Sequence, residues 1–288
     1  MWLVAINPHS GNGKGATFGK RVTEYLASKE VTYRVFSAQN VSQLRSQIEI
    51  ALDTAKFEGV ISVGGDGLAH LILQLAVPRS TPFAVIPAGT GNDIVRTLGW
   101  SLNELDGYLD VILSTTAQPI DLGNVDSEWF AAILSTGFDS VVNERANTLK
   151  WPKGPQRYNA AIALELPKFV PIEYEITMDS KTITTEAMLI AVGNGRSYGG
   201  GMLVCPHAQM NDGLFDVMIL EPVSKIEFLK VFPKVFSGSH ISHPAVKTYR
   251  TQKISISADA VAYADGERIG RAPVSAECIP SAGLTWAL

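Results

Sequence analysis

Three glycine-rich turns and a few aspartates have the residue types for chemistry in this sequence. The turns are "NPHSGNGKG" from Asn7, "GGDG" from Gly64 and "PAGTGND" from Pro87. Glycine loses the most backbone freedom on folding, so such groups are costly to order without a compensating gain. Each turn follows a short apolar run and precedes a helical pattern. In an open parallel α/β sheet, that puts all three outside the carboxyl ends of strands, where ligands bind. There glycine lets the backbone approach closely, and helix N-termini offer free N–H groups and a positive dipole end. The chemistry this suits is phosphate binding. One such turn is also what a bare strand-to-helix connection uses; three on one sheet edge point to a shared phosphate site.

Two common nucleotide signatures do not fit. A P-loop needs GxxxxGK[ST], but Pro8 stands where its first glycine belongs and Gly15 follows Lys14. "GNGKGA" has the wrong third position for the dinucleotide pattern GxGxxG.

Each aspartate also has a plain structural reading. Asp66 fits as an N-cap for a helix beginning at Leu68. Asp212–Gly213 is an ordinary turn signal, and Asp265–Gly266 a hairpin signal. His240 and His243 form HxxH with no further cysteine or histidine nearby in sequence to complete a zinc set, which reads as a surface loop. His70, in an apolar helical context, reads as packed.

The elements that must position these residues change character along the chain. "WLVAIN", "TYRVFSA", "GVISVGGDG" and "PFAVIPAGTGND" read as strands. Thr17 to Lys29, Val41 to Lys56, "AHLILQLAV" and the start at "DIVRTLGW" read as helices. This alternation predicts a parallel sheet covered on both faces. From about Gly123, β-rich segments such as "WFAAILSTGF", "IEYEITMD", "LFDVMILE", "AVAYADGERI" and "PVSAECIP" dominate, interrupted by helices over Pro155 to Lys168 and Lys225 to Ser237. The reading is α/β: a doubly wound α/β nucleotide-binding domain over 1–123, then a mostly antiparallel β-sandwich domain over 124–288, whose extreme C-terminal segment is left the option of packing back on the first domain.

With 288 residues, 46% hydrophobic and 18% charged, the chain can bury a sizeable core. The net charge of −4 argues against a nucleic-acid partner. Cys205 and Cys278 lie far apart and read as reduced thiols of a cytosolic protein. No stretch reaches the roughly 18 apolar residues of a membrane span. Lys150, Lys153 and Arg157 around Trp151 suit either a membrane surface or a solvated loop. Phe228, Leu229, Phe232, Val235 and Phe236 form an apolar stripe that reads as core, with the lining of an acyl pocket as the alternative.

Taken together and in order, "NPHSGNGKG", "VGGDG", "PAGTGND", "STGFDS", "GNGRSYGGGMLVCPHAQMNDGLFDV", "KVFPKVFSGSHISHPAV" and "ADGE" resemble the diacylglycerol kinase catalytic-domain family of bacterial lipid kinases. The family is related to sphingosine kinases and, more distantly, to NAD kinases. The resemblance spans nearly the whole chain. It implies an ATP-binding α/β domain, a lipid-binding β-sandwich domain and an active site in the cleft between them. It implies transfer of the ATP γ-phosphate to a lipid hydroxyl with Mg²⁺, by a cytoplasmic enzyme of phospholipid metabolism working peripherally at the inner membrane surface. Whether the enzyme is a monomer or a homodimer stays open.

The resemblance also assigns residues. Asn7, Ser10 and Gly11, then Gly64, Gly65, Asp66 and Gly67, then Gly89, Thr90, Gly91, Asn92 and Asp93 would meet the nucleotide. Asp265 would be the general base, with Glu267 beside it; two apart on a strand they would share a face, unless Gly266 turns the chain. A second, structural Mg²⁺ would be held by Asp212 and the carbonyls of Gln209 and Leu214, bridged by water to Asp66, Asp93 and Asp121. The sequence departs from most relatives after GGDG, where Leu68 and Leu71 replace a threonine and a glutamate. The alternatives are an NAD kinase-like soluble kinase, against which the missing "GxNxGxLGF"-type segment after Asp121 counts, and a non-catalytic lipid- or nucleotide-binding protein, in which Asp66 or Asp265 would be expected to be lost.

Overall fold

The computed structural model describes residues 1–38, 40–100, 104–149, 151 and 155–286. Lys150 and Lys153 therefore lie outside the described residues. The chain divides into two compact units, one comprising Met1–Leu122 with Pro280–Leu288 and the other Gly123–Ile279.

In the N-terminal unit, four short strands form a parallel sheet in the order β2 (Tyr33–Phe36), β1 (Trp2–Ile6), β3 (Val60–Gly64), β4 (Phe83–Pro87). β1, β3 and β4 read WLVAI, VISVG and FAVIP and are buried along nearly their whole length. Such unbroken apolar runs need cover on both faces. Helices α1 (Lys14–Ser28), α2 (Val41–Thr54), α3 (Asp66–Ala76), α4 (Asp93–Thr97) and α5 (Leu105–Ser114) connect and flank them. α2 is amphipathic: Leu44, Ile48 and Ala51 are buried, and the Asn40 side chain caps it by accepting from the Gln43 N–H. α3 is apolar nearly all round and is buried from Leu68 to Ala76 except at Gln74. α5 is not among the helices read from the sequence, although Leu105, Tyr108, Leu109 and Ile112 fall on one helical face; its buried Tyr108 packs tilted against Trp100. The last residues of the chain return here. Thr285 lies parallel to Phe83 and its hydroxyl donates to the Phe83 carbonyl at 2.6 Å.

The C-terminal unit is antiparallel. After β5 (Gln118–Val125), which runs across the unit boundary, come β6 (Glu128–Phe130), β7 (Ile133–Gly137), α6 (Phe138–Thr148), α7 (Pro155–Glu165), β8 (Ile172–Met178), β9 (Lys181–Ala187), β10 (Leu189–Gly193), β11 (Phe215–Leu220), α8 (Lys225–Val231), β12 (Val246–Thr251), β13 (Lys253–Ser257), β14 (Val261–Ala264), β15 (Glu267–Arg271) and β16 (Val274–Thr285). One sheet runs β12-β11-β10-β7-β14-β15. A second has β13 between β16 and β8, with β9 beyond β8. β13 alternates exposed and buried along KISIS, as a strand with one wet face does. Phe130, Tyr174, Ile176, Val217, Ile254 and Ile256 belong to the core cluster that these strands bury. A separate cluster centres on Phe138, whose ring meets Phe169 and Phe228 edge-on at 5.2 and 5.1 Å.

Two readings are corrected here. "WFAAILSTGF" is two strands, not one, because the amides of Ala131, Ala132 and Ile133 are drawn off to a side chain, and α6 follows at once from Phe138. The helix over Lys225 to Ser237 stops being α-helical at Val231, one residue before Phe232–Pro233, and continues as a 3-10 turn to Ser237. Proline cannot supply the N–H that the α-helical ladder needs.

Candidate functional site

In the N-terminal unit the three glycine turns meet at one edge of the parallel sheet, and they meet backbone to backbone. A Cβ on Gly89 would stand 2.5 Å from the Gly65 Cα, and one on Gly11 would stand 2.2 Å from the Ala88 carbonyl oxygen. A Cβ on Gly65 would be 3.4 Å from the Ser10 hydroxyl, so the first turn also lies against the second. Gly11, Asn12 and Gly13 are all left-handed, with φ of 55°, 57° and 93°. Successive amides in such turn conformations form concavities that take anions. α1 begins at Lys14 and α3 at Asp66, inside the first two turns and with no side-chain cap; the Lys14 N–H donates to the Ser10 and Gly11 carbonyls and the Leu68 N–H to that of Gly65.

Asp66 does not cap its own helix. α3 begins at Asp66 with Gly65 as N-cap, and the carboxylate reaches across to the third turn, accepting from the Asn92 N–H at 2.8 Å and the Ile94 N–H at 3.3 Å. Asn92, left-handed at φ 55°, closes that turn on itself: its side chain accepts from the Gly89 N–H and donates to the Gly89 carbonyl. The Asp66 and Asp93 carboxylates flank Gly91, at 2.8 and 3.0 Å from the position a Cβ would take there. Thr90 is exposed at the tip. The Asn7 side chain accepts from the His9 N–H and holds the first turn. Leu68 and Leu71 are buried apolar groups, with a Leu68 methyl against Gly64.

In the C-terminal unit, Asp265 and Gly266 are the two central residues of the hairpin joining β14 and β15, both at positive φ (51° and 84°), as a type I′ turn requires. Gly266 does turn the chain, so Glu267 opens β15 as an exposed residue. The Asp265 carboxylate reaches residues more than 130 positions earlier. Its Oδ2 accepts from the Ala131 N–H at 2.7 Å, and its Oδ1 from those of Ala132 at 2.8 Å and Ile133 at 3.2 Å. The Asp265 N–H in turn donates to the Ile133 carbonyl.

Asp212 accepts from the Leu214 N–H at 3.1 Å and pairs with Arg250. Gln209 is exposed nearby in sequence and Leu214 half-buried. Asp216 is an acid that sequence reasoning missed. It faces Arg250 across the strand pair, with Nε to Oδ2 at 3.6 Å, and that oxygen is buried without a hydrogen bond. Burial pushes the Asp216 carboxyl up, Arg250 pulls it down and Asp212 pushes it up again. The available signal was spacing: Asp216 lies four residues after the aspartate of the turn. A buried carboxylate oxygen left over beside a second carboxylate is a place a cation relieves, and the all-oxygen chemistry suits Mg²⁺. Among the described residues no three His, Cys, Asp or Glu side chains gather closely enough to hold a metal. Asp121 is buried and accepts from the Ser281 N–H at 2.8 Å.

Other readings resolve simply. Cys205 and Cys278 are buried thiols outside any disulfide. His240 is not in a surface loop; it is buried, with Nε2 3.1 Å from the Val204 carbonyl, while His243 pairs with Glu227. Asp139 of "STGFDS" has an enclosed carboxyl group that burial pushes up to about 6, with Ser135 and Ser140 at the same turn pulling it down only in part. No helix among the described residues is long and apolar enough to cross a membrane.

Residues 1–125 match the model of the diacylglycerol kinase catalytic domain, and residues 132–285 that of the YegS C-terminal NAD kinase beta sandwich-like domain. A diacylglycerol kinase of Mycobacterium tuberculosis is 31% identical over 283 residues, covering 96% of this chain and 91% of that protein. One of Bacillus subtilis is 31% identical over 277 residues, covering 94% and 90%. The crystal structure of a putative diacylglycerol kinase from Bacillus anthracis superposes over 100% of this chain and 97% of its own, with a TM-score of 0.80 at 20% identity, which speaks to the fold alone. The chain belongs to the bacterial diacylglycerol kinase catalytic-domain family.

Proposed function

We propose that this protein is an ATP-dependent lipid kinase that transfers the γ-phosphate to the hydroxyl of diacylglycerol or a related lipid alcohol. The observation that carries the reading is the meeting of three glycine turns, backbone to backbone, around the Asp66–Asn92 contact. Phosphoryl transfer needs positioning and charge neutralisation more than covalent help. The turns from Asn7, Gly64 and Gly89 take the phosphates on their amides, with Ser10 and Thr90 adding hydroxyls. Asp66 fixes the third turn against the second, so the three keep one spacing as nucleotide comes and goes.

Asp265 takes the proton of the lipid hydroxyl. Three amides fix its oxygens, and in a loose transition state the proton leaves late, so orientation matters more than basic strength. Glu267 stands next to it at the hairpin. Asp212 and Asp216, with the carbonyls of Gln209 and Leu214, would hold a structural Mg²⁺. Bound Mg²⁺ supplies charge neutralisation at the phosphates.

The test is transfer of labelled phosphate from ATP, at millimolar-order Mg²⁺, to diacylglycerol, a sphingoid base, phosphatidylglycerol and NAD in parallel. Label on diacylglycerol supports the proposal. Label on NAD alone, or on none of the four, overturns it.

A further inference from the structure

The stripe over residues 228–236 is only partly core. Phe228 and Val231 are buried, but Ile226 and Leu229 are 69% and 57% exposed, and Phe236 is 56% exposed. Ile226, Leu229, Lys230 and Pro233 follow the i, i+3, i+4, i+7 spacing that puts residues on one helical face, opposite Phe228 and Val231. The chain tightens to three residues per turn beyond Phe232, which carries the same face on from Pro233 to Phe236. Leu229, Lys230, Lys234 and Phe236 are exposed along it. Nearby, the Lys225 ammonium donates to the Phe169 carbonyl and lies 5.6 Å from that ring, and the next residue, Val170, is 72% exposed.

Core packing does not explain this face, and its charge narrows what would cover it. Lys230 and Lys234 flank the apolar ridge, and with Lys225 they outnumber the one acid of α8, Glu227. The surface is therefore locally basic on a chain with a net charge of −4. A twofold contact between two copies centred on the ridge would face lysine against lysine. Exposed apolar groups with lysines on their flanks match an interface of acyl chains under anionic headgroups instead.

We propose that the ridge from Ile226 to Phe236 docks this protein onto an anionic lipid bilayer, its apolar side chains entering the headgroup boundary and Lys230 and Lys234 meeting the headgroups. The purpose of such docking rests on the lipid-kinase reading; the binding itself does not.

The test is flotation of the full chain with vesicles of phosphatidylcholine alone or mixed with phosphatidylglycerol, without ATP. Binding to the mixed vesicles should exceed binding to the neutral ones and fall with salt. The Lys230→Ala/Lys234→Ala variant should lose about 25-fold in affinity at low salt, since each lysine near an anionic surface contributes about fivefold. Leu229→Ser/Phe236→Ser should lose at least about tenfold on both vesicle types. Both variants change exposed residues, and an unchanged melting temperature checks that they fold. Both should phosphorylate a short-chain diacylglycerol dispersed as monomers as well as the parent does. Vesicle binding unchanged in both variants overturns the proposal. So does a parent that is a dimer in light scattering when Leu229→Ser/Phe236→Ser is a monomer that still binds vesicles. A protein that floats as expected but phosphorylates no lipid overturns the kinase reading and leaves the docking surface standing.

Discussion

Asp66 and Asp265 each accept hydrogen bonds from backbone remote in sequence, yet the regions around them are built on different terms. Around Asp66 side chains are mostly excluded: Gly65 meets Gly89 and Gly11 meets Ala88 with no room for a Cβ. The carboxylate is one fastening among many, accepting from two amides of a turn that Asn92 also closes. Around Asp265 the loop has ordinary room, with nothing within 4 Å of a Cβ on Gly266, and a single side chain gathers three amides of a segment 132–134 residues away. The first design tolerates no added atom. The second tolerates no lost oxygen.

The largest effect is expected where the difference is sharpest. Asp265→Asn keeps the shape but replaces one acceptor oxygen by an NH₂ group that faces an N–H donor. Turnover should fall about 10²- to 10⁴-fold, and stability by about 1–3 kcal/mol as a partly buried amide loses its acceptor. Affinity for a non-hydrolysable ATP analogue should not move. A variant that keeps near-normal turnover removes Asp265 from the chemistry and leaves it a purely structural clasp.

Gly89→Ala is the converse. Ordinary contact begins near 3.4 Å, so with a Cβ 2.5 Å from the Gly65 Cα the two turns must part by about 1 Å. A displacement of that size in a positioning site costs on the order of a hundredfold in rate. Here the analogue affinity should fall as well, measured by titration calorimetry. Gly89→Ala with unchanged nucleotide affinity would mean that the close-packed edge is not where phosphate binds, and the contrast between the two regions would lose its functional meaning.

The third effect separates a buried acid from the clasps. Asp139 has no remote amides gathered on it, and burial holds its carboxyl up at about 6 against an ordinary 3.8. A carboxyl raised on folding favours the folded state fully below its unfolded value and loses that advantage as pH rises through the folded one. Stability should therefore decline between about pH 4 and 6 by about 2–3 kcal/mol from this group, since each pH unit separating the two values is worth about 1.4 kcal/mol. Chemical unfolding of Asp139→Asn should show that part of the slope removed.

The sequence carried the turns themselves and the strand-helix alternation, because both are local: glycine spacing and apolar periodicity are visible within a dozen residues. It also placed an aspartate next to a glycine in each half. What was hidden was where those side chains reach. Nothing around Asp66 points to Asn92 and Ile94, and the local rule pointed to its own helix instead. Nothing around Asp265 points to Ala131. The splitting of "WFAAILSTGF" into β6 and β7 was hidden for the same reason, since its cause is a carboxylate from the far end of the chain. α5 was missed although Leu105, Tyr108, Leu109 and Ile112 carry the i, i+3, i+4, i+7 spacing of a helix; Gly107 in its first turn is a poor helix former that weakens the local signal. Leu68 and Leu71 are the clearest case of partial legibility. Their departure from the family pattern was visible, and only packing shows that both became core, Leu68 against Gly64, rather than a failed polar site.

Asp212 is the third acid on a glycine turn, and it follows neither design. Beyond the local Leu214 N–H, it reaches a side chain, Arg250, which is half exposed, so the pair is screened by solvent. Arg250→Ala should therefore cost only about 0.5 kcal/mol in stability, in the range of exposed ion pairs. Its larger value is as a probe of the metal. Removing Arg250 leaves Asp212 and the buried Asp216 oxygen as two carboxylates without their cation, and Asp216 should be pushed further up, since Arg250 is what pulls it down. If Mg²⁺ belongs there, the melting temperature of Arg250→Ala should rise with added Mg²⁺ by more than that of the parent, while Asp212→Ala should abolish the dependence in both backgrounds. Equal Mg²⁺ responses in the parent, Arg250→Ala and Asp212→Ala would place the metal elsewhere. Asp212 would then be a plain turn residue paired with an arginine, and the division between backbone-built and side-chain-built sites would stand on Asp66 and Asp265 alone.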